Sequence, residues 1–164
     1  MKVGEQELPK WGYSVMGLDP ETTVKASGRE LRASPKAAVE VCAAIKGMKL
    51  DAAKAFLEQV QQKKRSVPYR KHKKTLPHRK NLQKIAAGRY PVKAAQKILE
   101  VLESAESNAM YKGLDSENLK IVHAAAYPGI KIKRFIPRAM GRATPKNKTL
   151  CHVEIVLAQV GGEV

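Results

Sequence analysis

Acidic residues are missing from two long stretches of this 164-residue chain: none occurs between Gln59 and Leu99, and none between Asn118 and Val153. These windows hold thirteen and eight Lys or Arg, which leaves ten bases against all fifteen acids elsewhere, so the net charge of +16 arises wholly inside them. Charge that serves only solubility is spread over a surface, whereas concentrated positive potential points to a polyanionic partner. Other absences narrow the choice. No apolar run approaches the ~18 residues that a membrane span needs, and the opening MKVGEQELPKWGYS has no apolar stretch fit for a secretory signal, so a cytosolic protein is expected. Neither basic window forms an amphipathic helix with bulky apolar residues opposite its cations, which argues against a membrane surface and for nucleic acid.

Cysteine is scarce too. Cys42 and Cys151 lie far apart with no Cys-x-x-Cys spacing, and both read as reduced core residues. His72, His78, His123 and His152 have no partner at metal-ligand spacing, so no metal or other cofactor is expected, although His72 and His78 suit contact with RNA. There is no Gly-rich phosphate loop, no nucleophile elbow and no pair of carboxylates on a cleft-forming motif, and catalysis is not expected. Aromatic residues make up only 5% of the chain, so recognition should rest on nucleic-acid shape and backbone more than on stacking of splayed bases.

What is present fits one domain over residues 1–164, with 43% apolar residues to fill a single core. The first fourteen residues read as a loose tail with Trp11 and Tyr13 as docking points. The weakly alternating stretch from Thr22 to Ser34 suits an edge strand. Ser34 as N-cap and Pro35 at the first helical position open a helix with Ala38, Val41, Cys42 and Ile45 on one stripe, closed by Gly47. A second helix is expected from about Asp51 to Lys64, burying Leu50, Ala53, Phe56, Leu57 and Val60. Residues 66–90 have two prolines, clustered cations and little apolar periodicity, and read as a basic extended insertion. Pro91 then opens the strongest helix, with Val92, Ala95, Ile98, Leu99, Leu102, Ala105 and Ala109 in a stripe, Glu100, Glu103 and Glu106 opposite, and an end near Lys112 or Gly113. Two strands complete the set: Leu119, Ile121, His123 and Ala125 alternate with Lys120, Val122 and Ala124, and Cys151, Val153, Ile155 and Leu157 with His152, Glu154 and Val156.

Between these strands lies IKIKRFIPRAMGRATPKNKT, Ile130 to Thr149, with seven Lys or Arg and no acid. As a two-stranded ribbon turning near Met140 it forms an arm over about residues 127–150, with legs of roughly 40 Å at ~3.3 Å per residue, well beyond a core whose radius of gyration is ~15 Å. A free ribbon of this charge is marginal in water, so its order is expected to come from phosphates around it. Gly141 allows a tight turn, and Pro137 and Pro145 stiffen the legs and discourage edge pairing.

KRFIPRAMGRA (Lys133 to Ala143) followed by CHVEIVL resembles the hairpin signature of the universal ribosomal protein family numbered twenty-two in the bacterial large subunit and seventeen in the eukaryotic one. LRASPKAAVEVCAAIKGM resembles that family's first helix and lead-in, AESNAMYKGLD the end of its third helix, and the insertion VPYRKHKKTLPHRK its archaeal and eukaryotic branch. The resemblance covers most of the chain in the right order. It implies an α+β fold, three helices packed on a small antiparallel sheet with a long protruding β-hairpin. It further implies a cytoplasmic, non-enzymatic constituent of the large ribosomal subunit that binds several domains of its rRNA, touches neighbouring ribosomal proteins and supports assembly. The hairpin tip of Arg138, Ala139, Met140, Gly141 and Arg142 would line the nascent-peptide exit tunnel. By matching position, Arg134, Arg138 and Arg142 would meet RNA or tunnel wall, Lys133 would approach the tip, and Arg32 would contact a phosphate. Met140 departs from the family pattern, in which many members have a polar or basic residue.

The remaining RNA-binding candidates come from the basic windows themselves: Arg70, Lys71, Lys73, Lys74, Arg79 and Lys80 in the insertion, and Lys131, Lys146 and Lys148 on the arm. A free-standing architectural or regulatory nucleic-acid binder is the alternative, with Phe135 or Ile136 as wedges between base steps.

Overall fold

The computed structural model describes residues 12–15, 17–80, 82 and 85–159. Its sheet is organised by β7 (Lys148–Gln159), the strand richest in buried apolar residues, which lies between β1 (Thr23–Leu31) and β4 (Leu119–Ile132) and pairs antiparallel with both. As expected, β1 is an edge strand. Ala26, Ile155 and Ala124 stand side by side across the sheet, and with Val24, Leu119, Ile121, Cys151, Val153 and Leu157 they form its apolar face.

Three helices cover that face: α1 (Pro35–Ile45), α2 (Leu50–Gln61) and α3 (Val92–Tyr111). The stripes expected from the 3.6-residue period are buried on α1 (Ala38, Val41, Cys42 and Ile45) and α2 (Ala53, Phe56, Leu57 and Val60), and on α3 at Ala95, Ile98, Leu102, Ala105 and Ala109, whereas Val92 and Leu99 of the expected α3 stripe are only half-buried and Ala94 and Val101 are buried instead. α3 lies against β1 and β7, α1 against β4, and α2 on α3. Full burial of a side chain such as Ile98 or Leu102 is worth ~1.5–3 kcal/mol. Ser34 and Pro35 do occupy the N-cap and first positions of α1, but the Ser34 hydroxyl makes no capping bond. α2 ends earlier than expected, with Lys63 at φ 59° just beyond it. Gly47, past the end of α1 at φ 87°, donates its N–H to the Ile121 carbonyl at 2.8 Å and so ties the helix to β4.

Two features of the sheet depart from simple alternation. A bulge between Ile121 and His123 puts an extra residue into β4, after which Ala124 faces the core while His123 and Ala125 face away, opposite to the expected pattern. On β7 the outward Glu154 and Val156 are buried as well, at 3% and 0% exposure. The segment around Ser14 lies over that side: its backbone N–H and its hydroxyl both donate to Glu154 Oε2 at 3.2 Å, and an Arg29 guanidinium nitrogen lies 3.8 Å from Glu154 Oε1. The tail therefore has one docked segment, with Tyr13 beneath Lys25 Nζ at 5.6 Å; Trp11 lies outside the described residues. Cys42 and Cys151 are free thiols in the core, and burial pushes them up to about 12 and about 11.

The basic insertion is mainly extended chain closed by a two-residue ladder, β2 (Val67–Pro68) with β3 (Gly88–Arg89), and a bridge from His78 to Ala87. Val67 and Tyr69 anchor it in the core. β4 and β7 run on past the core to the pairs Lys131–Thr149 and Ile132–Lys148, and β5 (Phe135–Pro137) pairs with β6 (Ala143–Pro145) further out. A second bulge, between Pro128 and Lys131, marks the departure from the core. A Cβ at position 129 would come 2.9 Å from His152 Nε2, so a larger residue there would push the imidazole aside.

Candidate nucleic-acid interface

The two acid-free windows, separated in sequence by residues 100–117, meet in space. A depression of about 790 Å³ lies between the start of α1 and the root of the arm and is lined by Arg32, Lys36, His72, Lys93, Lys131 and Lys148. A second, of about 660 Å³, is lined by Lys71, Lys73, Lys74, Arg89 and Tyr90, and the two share Ser34, Lys36 and His72. Among the described residues no carboxylate lines either. The first turns of α1 and α3 also contain no acid, so their partial positive ends add to the field of the lysines. The result is a continuous basic trough with a floor of Pro35, Val39 and Pro128. Three of its cations, Lys36, Lys93 and Arg89, were not singled out in the sequence. A signal was available for the two lysines: each sits in the first turn of a helix, where the dipole disfavours a cation and favours an anion beside it.

The arm carries Lys131, Lys133, Arg134, Arg138, Arg142, Lys146 and Lys148, all exposed. Between Lys131 and Lys148 every residue except Ile136 is exposed, so the ribbon stands away from the body. Two of the three acids of α3 are engaged elsewhere: Glu100 with Lys97 at 2.8 Å and Glu106 with Lys54 of α2. Among the described residues none of the seven arm cations has a carboxylate within ion-pair distance. At the tip the Arg138 N–H donates to the Arg142 carbonyl at 2.7 Å, and Met140 and Gly141 have φ of 58° and 64°, the sign pattern of a type I′ hairpin turn. The turn is where the sequence put it. A left-handed methionine was not foreseen; its side chain is 89% exposed, with Sδ 4.0 Å from an Arg142 nitrogen. Pairing register separates the faces beyond the root, with Phe135, Pro137, Ala143 and Pro145 on one and Ile136 and Thr144 on the other, where Arg138 Nε donates to Thr144 Oγ1 at 3.4 Å.

In the insertion, Arg70, Lys71, Lys73, Lys74 and Lys80 are exposed, while Arg79 is half-buried with its guanidinium 5.0 Å from the centre of the Tyr90 ring. Underneath lies a residue that sequence reasoning missed. Glu40 of α1 is only 2% exposed, and its carboxylate accepts the backbone N–H groups of Arg70 at 2.9 Å, Lys71 at 2.8 Å and His72 at 3.0 Å. The available signal was a single acid within the small apolar run AAVEVCAAI. Burial is the main cause that raises the neighbouring Tyr69 phenol, partly countered by Arg89 and reinforced by Glu40.

Arg32 is exposed in the trough, immediately before α1. Two of the histidines have internal roles: His152 Nδ1 accepts the Glu30 N–H at 3.1 Å, and His123 Nε2 lies 3.0 Å from the Ser14 hydroxyl. Burial and the charge of Lys46 hold His123 below the ordinary imidazole value, against an opposing pull from Glu154. Among the described residues there is no group of His, Cys, Asp or Glu able to hold a metal ion, and no helix is long and apolar enough to cross a membrane.

A helix-backed antiparallel sheet whose central strand β7 and edge strand β4 extend into an exposed cationic hairpin, with a basic trough at the hairpin's root, defines a class of α+β scaffold proteins with a protruding basic arm. Residues 26–158 match the family model described as "Ribosomal protein L22p/L17e". The chain is 54% identical over 158 residues to the large ribosomal subunit protein uL22 of Methanopyrus kandleri, covering 93% of this chain and 99% of that protein. It is 50% identical over 149 residues to the protein of the same name from Archaeoglobus fulgidus (91% and 96%), and 46% identical over 153 residues to that of Methanocella arvoryzae (93% and 99%). The chain belongs to the L22p/L17e family of ribosomal proteins, whose members are structural components and not enzymes.

Proposed function

We propose that this protein is a structural constituent of the large ribosomal subunit in the cytoplasm, binding that subunit's RNA at several domains and packing beside neighbouring ribosomal proteins. The whole chain acts as one RNA-binding unit, with the basic insertion and the arm as its two reaching parts. What carries this reading is the meeting of both acid-free windows in one trough at the arm's root. Phosphates laid along that trough and around the arm remove the repulsion among unpaired cations and release counterions, a driving force that needs no base readout. The arm's length and exposure, together with family membership, further support a tip at residues 138–142 that lines the exit tunnel and meets the nascent chain.

The seven arm cations alone give a slope of log affinity against log salt of roughly −5 to −6 on large-subunit rRNA. A nearly flat dependence would refute RNA binding through these groups. Sedimentation of a lysate at moderate salt tests membership: the protein should travel with large subunits in fixed stoichiometry, and a soluble or DNA-associated pool would favour a free-standing binder. Chemical footprinting of particles with and without residues 131–148 tests the tip. The shortened protein should still dock through its body while tunnel-wall nucleotides become reactive, and loss of all docking would show that the body contributes too little.

A further inference from the structure

The insertion presents Arg70, Lys71, Lys73 and Lys74 to solvent from a chain with hardly any regular structure, yet its first turn is fixed from within. Three successive N–H groups, of Arg70, Lys71 and His72, converge on the single buried carboxylate of Glu40. Successive N–H groups converging in this way make an anion-binding concavity. Here the chain fills that concavity itself, so an outside polyanion meets the side chains on the convex side. His72, held by the third of these bonds, is the residue of the turn that lines both depressions of the trough. As a charge, Glu40 can only oppose anion binding, because it lies among the densest cations of the molecule.

We infer that Glu40 is a positioning residue for RNA binding: by holding the backbone of residues 70–72 it sets the cations of the insertion in register with the trough. This rests on the reading under Proposed function. Electrostatics and positioning give opposite signs, which makes the inference testable. If Glu40 acted only as a charge, Glu40→Gln would tighten binding and Glu40→Asp would leave it unchanged. If it positions, both weaken it, since Gln cannot accept three N–H bonds with one carbonyl, and Asp is one methylene too short.

The experiment uses the full-length protein and an in vitro transcript of large-subunit rRNA, with affinity measured by filter binding across a salt series. Loss of register at two of the four cations makes the log–log slope shallower by about two and weakens binding by about tenfold or more near physiological salt for each variant. Amide exchange at residues 70–72 should accelerate in both. A merely structural role would lower the unfolding midpoint but leave the slope unchanged. Unchanged or tighter binding by Glu40→Gln with an unaltered slope overturns the inference, and if that variant does not fold, an unaltered slope in Glu40→Asp overturns it equally. A flat slope for the unaltered protein sinks the RNA-binding reading and this inference together, whereas a steep one with indifferent variants sinks the inference alone.

Discussion

Replacing Lys36, Lys93, Lys131 and Lys148 together by Gln tests the trough without touching the core. All four side chains are exposed, all line the depression at the root of the arm, and none has a carboxylate within ion-pair distance among the described residues. Surface changes of this kind alter stability by no more than ~0.5 kcal/mol each, so the unfolding midpoint serves as a check that the fold persists. If each lysine neutralises one phosphate, each contributes about 0.9 to the slope of log affinity against log salt, and the four together about 3.6. At about 0.15 M salt this corresponds to roughly a thousandfold loss of affinity, shrinking as salt rises because the two lines converge near 1 M. The assay is filter binding to large-subunit rRNA between about 50 and 300 mM monovalent salt, with the fourfold Lys→Arg variant as the charge-preserving control. A slope within one unit of the unaltered protein, with the fold intact, would refute the reading that the trough holds RNA backbone.

Three further predictions concern the body. Leu102→Ala, at a fully buried position of α3, should cost about 2–5 kcal/mol in urea unfolding, and a loss below about 1 kcal/mol would mean that the helix layer repacks freely. Cys42 and Cys151 should resist a thiol reagent at pH 8 in the native protein and react on unfolding, because their native values lie near 12 and 11; rapid native labelling of both would contradict their burial. His123 is held below its ordinary value in the folded chain, so its contribution to stability is present above the unfolded value near 6.5 and is lost as pH falls through the depressed folded value. His123→Gln should therefore gain thermal stability relative to the unaltered protein as pH is lowered from 7.5 to 5, and parallel curves would show that the imidazole does not couple to folding.

The helices and the arm were legible in the sequence because each rests on a local rule. Ala38, Val41, Cys42 and Ile45 repeat at helical spacing, and an acid-free run with Gly141 near its middle marks an exposed ribbon and its turn. Family motifs made the α+β architecture readable as well. What stayed hidden depends on contacts between distant segments. The bulge after Ile121 reverses which face His123 and Ala125 occupy, and no residue type announces it. Glu40 and Glu154 read as two of fifteen ordinary acids, yet both are buried, because backbone N–H groups 30 to 32 and 140 residues away converge on them. The trough was missed for the same reason. Lys36 and Lys93 belong to different helices, and only the packing of α1 and α3 beside the root of the arm brings them together.

The legs of the arm are the outward runs of β4 and β7, the most heavily paired strands of the core, and no flexible linker intervenes up to Ile132 and Lys148. The finger is thus aimed by the twist of the sheet, as a pointer is aimed by the hand that grips it. Beyond the bulge at residues 129–130 its ladder is interrupted at residues 133–134 and 146–147, where the Lys146 N–H to Arg134 carbonyl bond spans the gap like a wrist pin. A change of core packing beneath β7 should therefore swing the far end as a unit, whereas a push on the fingertip should be absorbed at the wrist before it reaches the palm.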